Sequence, residues 1–190
     1  VRDILKGGVA DSAGAGALTS PYDVAQTSVY FDGLGRQIQT VAMQQSPIQT
    51  DLISFNQFDG FGREAYKFLP YTASTTDGNY KNTAVADQYN FNAVRFTGEQ
   101  YYYGKVDYEP SPLNRVQTTY APGQNWVGAN RGVRTQYLIN QTSDSVRIWT
   151  IAAAPGSIPT TSAIYPAGTL YKTQTTDEQD HSVVEYKDKQ

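Results

Sequence analysis

Cysteine is absent from this chain, histidine and methionine occur once each, and no apolar run approaches the roughly 18 to 20 residues of a helical membrane span. Without cysteine there is neither a disulfide framework nor a thiolate metal site, although this alone does not fix a compartment. Charge of either sign is not in excess. With 15 Lys plus Arg against 18 Asp plus Glu, a net charge of -3 over 190 residues gives no footing for nucleic acid or an anionic membrane. The length suffices to bury a core, with one domain and a possible second lobe as the expectation.

What the chain does have is tyrosine, 15 of them, which tilts the composition toward strands with aromatics on a pleated surface. It also has a phrase written twice: Phe31-Asp32-Gly33-Leu34-Gly35-Arg36 and Phe58-Asp59-Gly60-Phe61-Gly62-Arg63. Repetition at such a spacing marks units that bury their apolar faces against neighbours. The turn chemistry explains the phrase. Asp32 and Asp59 stand where the first residue of a type I turn accepts backbone N–H groups, and Gly35 and Gly62 fall where a following residue needs positive φ. Strands are predicted on either side, over 24–31 and 36–43 for the first turn and over 51–58 and 63–69 for the second.

These residues resemble the YD repeat of bacterial Rhs proteins, toxin-complex shells and teneurins. Tyr30 to Val41, Phe68-Leu69-Pro70-Tyr71, Tyr108 to Val116 and Tyr165 to Thr173, in that order, are similar to a segment on the amino-terminal side of the repeats in long Rhs-type proteins. The resemblance departs at Tyr108 to Arg115, where Pro110-Ser111-Pro112-Leu113-Asn114 replaces the glycine turn, a degenerate copy. It implies a structural segment that starts or closes a hollow β-shell around a carboxy-terminal effector, such as a toxin, in a secreted or cell-surface protein. The partners it implies are adjacent YD repeats and that effector, with no membrane insertion and no cofactor. Tyr186-Lys187-Asp188-Lys189-Gln190 reads as an unfinished copy, so the chain is expected to be a piece of a longer one.

Elsewhere, residues 1–20 are rich in small residues and are expected to be a flexible lead-in to a β-rich domain over 21–190. The glycines there lack the lysine-serine or lysine-threonine pair of a P-loop. A short helix is predicted from an N-cap at Asn82 or Thr83 through Phe91, with Val85, Tyr89 and Phe96 on its apolar face. Strands are expected over 101–108 and 115–121, then a hairpin joining 134–139 to 145–150, and a second joining 169–175 to 182–186. The fold class is therefore mainly β, an antiparallel meander of hairpins with one short helix.

Chemistry-bearing residues are few. His181 follows Asp177, Glu178 and Asp180, but no nucleophile elbow accompanies it, and the three acids lack the spacing of a calcium loop. Asp32 and Asp59 could form an acid and base pair as in glycosidases, but each has a turn role. Arg36 and Arg63 are assigned to aromatics or neighbouring acids rather than to an anion site. No catalytic, cofactor or metal residue is assigned, and the chain is not expected to be an enzyme. The alternative is a carbohydrate-binding module at the cell surface. One of Tyr101, Tyr102 and Tyr103 must face outward from a strand, and Trp126 lies in a loop, which makes Tyr102 and Trp126 the candidate sugar-stacking rings. A packing role for Tyr30, Phe31, Phe58 and Tyr108 between strands completes the structural reading.

Overall fold

A computed structural model describes residues 1–189 and shows a mainly antiparallel β protein. Its elements divide into two compact units, Val1–Asp107 with Tyr120–Arg131, and Tyr108–Thr119 with Gly132–Gln190, the latter described to Lys189.

In the first unit, β1 (Arg2–Ile4), β2 (Val24–Phe31), β3 (Gln37–Met43), β4 (Leu52–Phe58), β5 (Glu64–Phe68), β6 (Tyr71–Thr72) and β7 (Tyr103–Tyr108) form an antiparallel array. The spatial order is β1, β2, β3, β4, β5, β7, with β6 pairing the start of β4. Alternation along the strands sorts side chains by face. Val41 of β3 and Ile53 and Phe55 of β4 are buried, while Leu52 and Ser54, which alternate with the two buried residues of β4, are exposed. Tyr71 and Ala84 complete the buried cluster, with Tyr30, Phe68 and Phe91 packed against it. Phe55 stacks on Phe68 at 4.6 Å between ring centres.

Polar side chains tie a loop onto this core. Asp51 is fully buried; its carboxylate accepts from the Gly78 N–H at 2.9 Å and the Gln44 N–H at 3.1 Å, and pairs with Lys81 at 3.1 Å. Gln39, also buried, exchanges two hydrogen bonds with the Lys81 backbone, 2.7 and 2.9 Å long, as a neighbouring strand would. Burial works to lower the Lys81 ammonium, but its hydrogen bonds to Asp77 and Asp51 prevail and hold it above its ordinary value. The loop that precedes the helix is thus pinned from beneath.

Within residues 1–20, Arg2 pairs with Gln26 and Ile4 with Val24, and α1 (Ser12–Ala17) starts on an Asp11 carboxylate that caps the Gly14 N–H at 2.7 Å. Two expectations for this unit are corrected. The predicted helix exists as α2 (Ala84–Arg95), but Val85, Tyr89 and Phe96 are exposed. Its buried stripe is Ala84, Gln88 and Asn92, one helical turn apart, because the polar members have partners: Gln88 donates to the Tyr102 carbonyl at 2.7 Å and Asn92 to the Gln88 carbonyl at 2.9 Å. Phe31, expected to pack between strands, is 58% exposed, whereas Tyr30 reaches inward and donates to the Gly78 carbonyl at 2.9 Å.

The second unit holds β8 (Val116–Tyr120), β9 (Val133–Ile139), β12 (Leu170–Thr176) and β13 (Ser182–Asp188) in that spatial order, and a separate ribbon of β10 (Arg147–Thr150) with β11 (Thr160–Ile164). The final pair is the hairpin expected over 169–186. The hairpin expected to join 134–139 to 145–150 does not form: β9 pairs with β12, Tyr137 opposite Thr173, and β10 pairs with β11. Asn140 explains the difference. Fully buried, its side chain accepts from the Leu170 N–H at 2.8 Å and donates to the Pro166 carbonyl at 2.9 Å, which fastens the end of β9 to the start of β12 and leaves 141–165 as an excursion.

Candidate functional site

The twice-written phrase folds into the same object both times. In the first copy the Asp32 N–H donates to the Arg36 carbonyl at 2.9 Å, and the Gly35 N–H returns to the Asp32 carbonyl at 3.0 Å. One carboxylate oxygen of Asp32 accepts from the Leu34 and Arg36 N–H groups, each at 2.9 Å, and the other takes the Arg36 guanidinium at 2.7 Å. Asp59 does the same: its carboxylate accepts from the Phe61 and Arg63 N–H groups at 2.9 Å and from the Arg63 Nε at 2.8 Å. Gly35 and Gly62 have φ of 77° and 79°, the left-handed region that glycine enters without penalty. A register shift lies at the base of each turn, between Tyr30 and Phe31 and between Gln57 and Phe58 on the entering strand, as expected of a type I turn closed by a left-handed bulge residue.

A third copy has no counterpart in the sequence pattern. At the β12 to β13 reversal the Asp177 N–H donates to the His181 carbonyl at 2.9 Å, and the Asp177 carboxylate accepts from the Gln179 N–H at 2.8 Å, the His181 N–H at 2.9 Å and the His181 Nδ1 at 3.2 Å. Asp180, at φ 66°, stands where the others have glycine, and His181 stands where they have arginine. At this exposed hairpin tip the same acid-to-base clasp is built with substituted chemistry.

The degenerate copy is a wider clasp. The Glu109 N–H donates to the Arg115 carbonyl at 3.0 Å, and Arg115 returns its guanidinium to the Glu109 carboxylate at 2.7 Å. The longer glutamate spans two additional residues, Ser111 supplies a hydroxyl to the Glu109 carboxylate at 2.6 Å, and Asn114 provides the left-handed residue at φ 53°.

These contacts act on the acids as electrostatics requires. The Arg36 backbone N–H, with further help from its guanidinium, holds the Asp32 carboxyl below its ordinary value, against a smaller opposing effect of desolvation. The Arg63 N–H does so for Asp59 and the His181 N–H for Asp177. Glu109 is held down to about 2, chiefly by the side-chain hydrogen bond from Arg115. Each acid is ionised and fully engaged by its own turn, so Asp32 and Asp59 are not a free acid and base pair. The arginines also meet aromatics: Arg36 lies 4.3 Å from the ring centre of Phe58, and Arg63 lies 4.9 Å from that of Phe61.

One of the two candidate sugar-stacking rings, Tyr102, is placed differently from expectation. Tyr102 is 2% exposed, its hydroxyl bonded to the Glu99 carbonyl and its ring 5.4 Å from that of Tyr89, so it has no free face. The outward-pointing requirement met by a strand through 101–103 does not apply, because β7 begins only at Tyr103. Trp126 sits half-buried on a single π-helical turn (Gln124–Gly128), with the Arg131 guanidinium 5.0 Å from its ring. His181 is exposed at the tip of its hairpin and engaged by Asp177. Among the described residues, no group of three or more His, Asp or Glu side chains is placed to hold a metal ion, and no helix is long and apolar enough to cross a membrane.

Fold and turns together define an antiparallel β protein whose strand reversals are fastened by acid-to-base clasps. Residues 8–139 match the family described as a domain of unknown function (DUF6443), and the chain belongs to that family. No curated protein and no solved structure matches the chain.

Proposed function

We propose that this chain is a structural segment of a YD-repeat shell, a piece that helps to build or cap a β-enclosure around a carboxy-terminal effector of its parent polypeptide, at the cell surface or after secretion. The observation that carries this reading is the recurrence of one clasp at four strand reversals, in three close copies and one widened copy, with a carboxylate spent each time on backbone N–H groups and a following base. A module whose acids are spent on its own turns is suited to a mechanical role and poorly suited to acid–base catalysis. Its partners on this reading are neighbouring YD repeats and the effector, and no cofactor is required.

The test is electron microscopy of the parent polypeptide that carries this segment. A closed β-shell into whose wall the segment is built is the expected image. A freely tethered, separately folded module, or substrate turnover lost on changing His181, Asp32 or Asp59, would overturn the proposal.

A further inference from the structure

The sheet of the second unit carries two tyrosines on one face. Tyr171 of β12 lies opposite Ile139 of β9, and Thr173 lies opposite Tyr137, so strand alternation brings Tyr137 and Tyr171 to the same side as diagonal neighbours. Both rings line an open groove of about 640 Å³, and a second hollow of about 600 Å³ extends it toward β8 past Arg115 and Tyr137. The rings are 39% and 56% exposed, yet neither is loose. The Arg115 guanidinium braces Tyr137 at 4.7 Å from its ring centre, and the Lys189 ammonium braces Tyr171 at 5.4 Å. Exposed aromatics held in advance in this way lose little freedom when a ligand covers them.

The chemistry around the rings selects the kind of ligand. The cations on the tyrosine face are already engaged: Arg115 pairs with Glu109 at 2.7 Å, Lys187, opposite Tyr171, pairs with Glu185 at 3.2 Å, and the Lys189 ammonium donates to the Gly168 carbonyl at 2.6 Å. Lys172, with its Asp144, and Arg134 belong to the opposite face of the same strands. An anionic ligand would have to draw these groups from partners they already hold, whereas a neutral one disturbs none of them. Beside the rings stand the neutral amides and hydroxyls of Gln117, Thr135, Gln141 and Thr173. An apolar protein surface laid here would strip water from these groups without replacing its hydrogen bonds. A peptide added as a strand uses a sheet edge rather than a face. A sugar answers both parts, with C–H faces for the rings and hydroxyls for the amides and threonines.

We propose that this face binds a neutral oligosaccharide, with Tyr137 and Tyr171 as stacking platforms. The site differs from the one anticipated at Tyr102 and Trp126, and it is independent of the scaffold reading: loss of sugar binding leaves the four clasps in place, and an absent shell leaves this groove intact.

The test is a screen of the full chain on an array of neutral and acidic glycans, followed by calorimetric titration with cellohexaose, xylohexaose, maltohexaose and chitohexaose. Retention of a neutral glycan is expected, with Tyr137→Ala and Tyr171→Ala each weakening binding by about tenfold or more while the melting temperature is unchanged. Tyr171→Phe, which keeps the ring, should stay within about threefold of the parent chain. Should Tyr137→Ala lower the melting temperature, Tyr171→Ala and Thr173→Val decide the matter, since both alter the groove at exposed or half-exposed positions. Retention of acidic glycans alone, no retention at all, or unchanged binding after alanine substitution of Tyr171 would overturn the proposal.

Discussion

Arg36, the last residue of the first phrase, lies over the ring of Phe58, the first residue of the second, with 4.3 Å between guanidinium carbon and ring centre. One clasp thus reaches the next: the guanidinium that closes the Asp32 turn also covers the aromatic that leads into the Asp59 turn. Repetition in the sequence becomes contact between repeats. A double-mutant cycle on Arg36→Ala and Phe58→Ala should give a coupling of about 0.5 to 1 kcal/mol, the range of a partly exposed cation–π pair. Additive effects on urea unfolding would show that the two turns are stabilised separately.

Gly35 has φ 77° and open space where a side chain would begin, so any cost of replacing it is conformational rather than steric. Gly35→Val should destabilise the protein by roughly 1 to 3 kcal/mol, because a β-branched residue resists positive φ. The third turn offers the reverse experiment. Asp180→Gly relieves the same conformation and gives up only an exposed ion pair to Arg134, so a gain of up to about 1 kcal/mol is expected. Thermal unfolding of the two variants should move in opposite directions.

Asn140 holds β9 to β12 with both ends of a fully buried amide. Asn140→Ala strands the buried Leu170 N–H, while the Pro166 carbonyl keeps the Thr169 hydroxyl at 2.7 Å, at a cost of about 1 to 3 kcal/mol. A variant as stable as the parent chain in chemical denaturation would mean that water replaces the amide there.

Acid should loosen the clasps in a definite window. The carboxyls of Asp32, Asp59, Asp177 and Glu109 are all depressed in the folded protein, so the stability they contribute is fully present above their unfolded values and is lost as pH falls toward their folded ones. For Glu109 the window runs from its ordinary 4.5 down to about 2. Denaturation midpoints measured between pH 7 and pH 2 should be level at first and then fall below about pH 4.5. Glu109→Gln should flatten part of that fall; an unchanged slope would remove the wide clasp from the set.

The first two turns were legible because their chemistry is written in glycine. A glycine three residues after an aspartate announces positive φ, and an arginine next to it completes the pattern. The third was hidden because Asp180 enters the same backbone region, as aspartate does more readily than most residues, and because histidine replaces arginine. The strands around these turns were also readable, since alternation and bounding turns fix them locally. Partner choice was not. The run after Ile139 has every mark of a tight turn, yet the long-range bonds of Asn140 send β9 to β12. The face of α2 was misread for a related reason: Gln88 and Asn92 are polar by composition and buried by virtue of their partners, while the apolar Val85 and Tyr89 remain outside. Tyr102 was misplaced because its strand was expected to begin at Tyr101, whereas β7 begins at Tyr103.

Amide hydrogen exchange read residue by residue probes the clasps most directly. The backbone N–H groups of Arg36, Arg63 and His181 each donate to the carboxylate of their own turn. In the parent chain these three amides should exchange slowly despite their place at strand reversals, and Asp32→Ala, Asp59→Ala and Asp177→Ala should each release the amide of its own turn while the other two stay protected. Exchange at solvent rates in the parent chain, or release of all three by any single substitution, would contradict a fold fastened turn by turn.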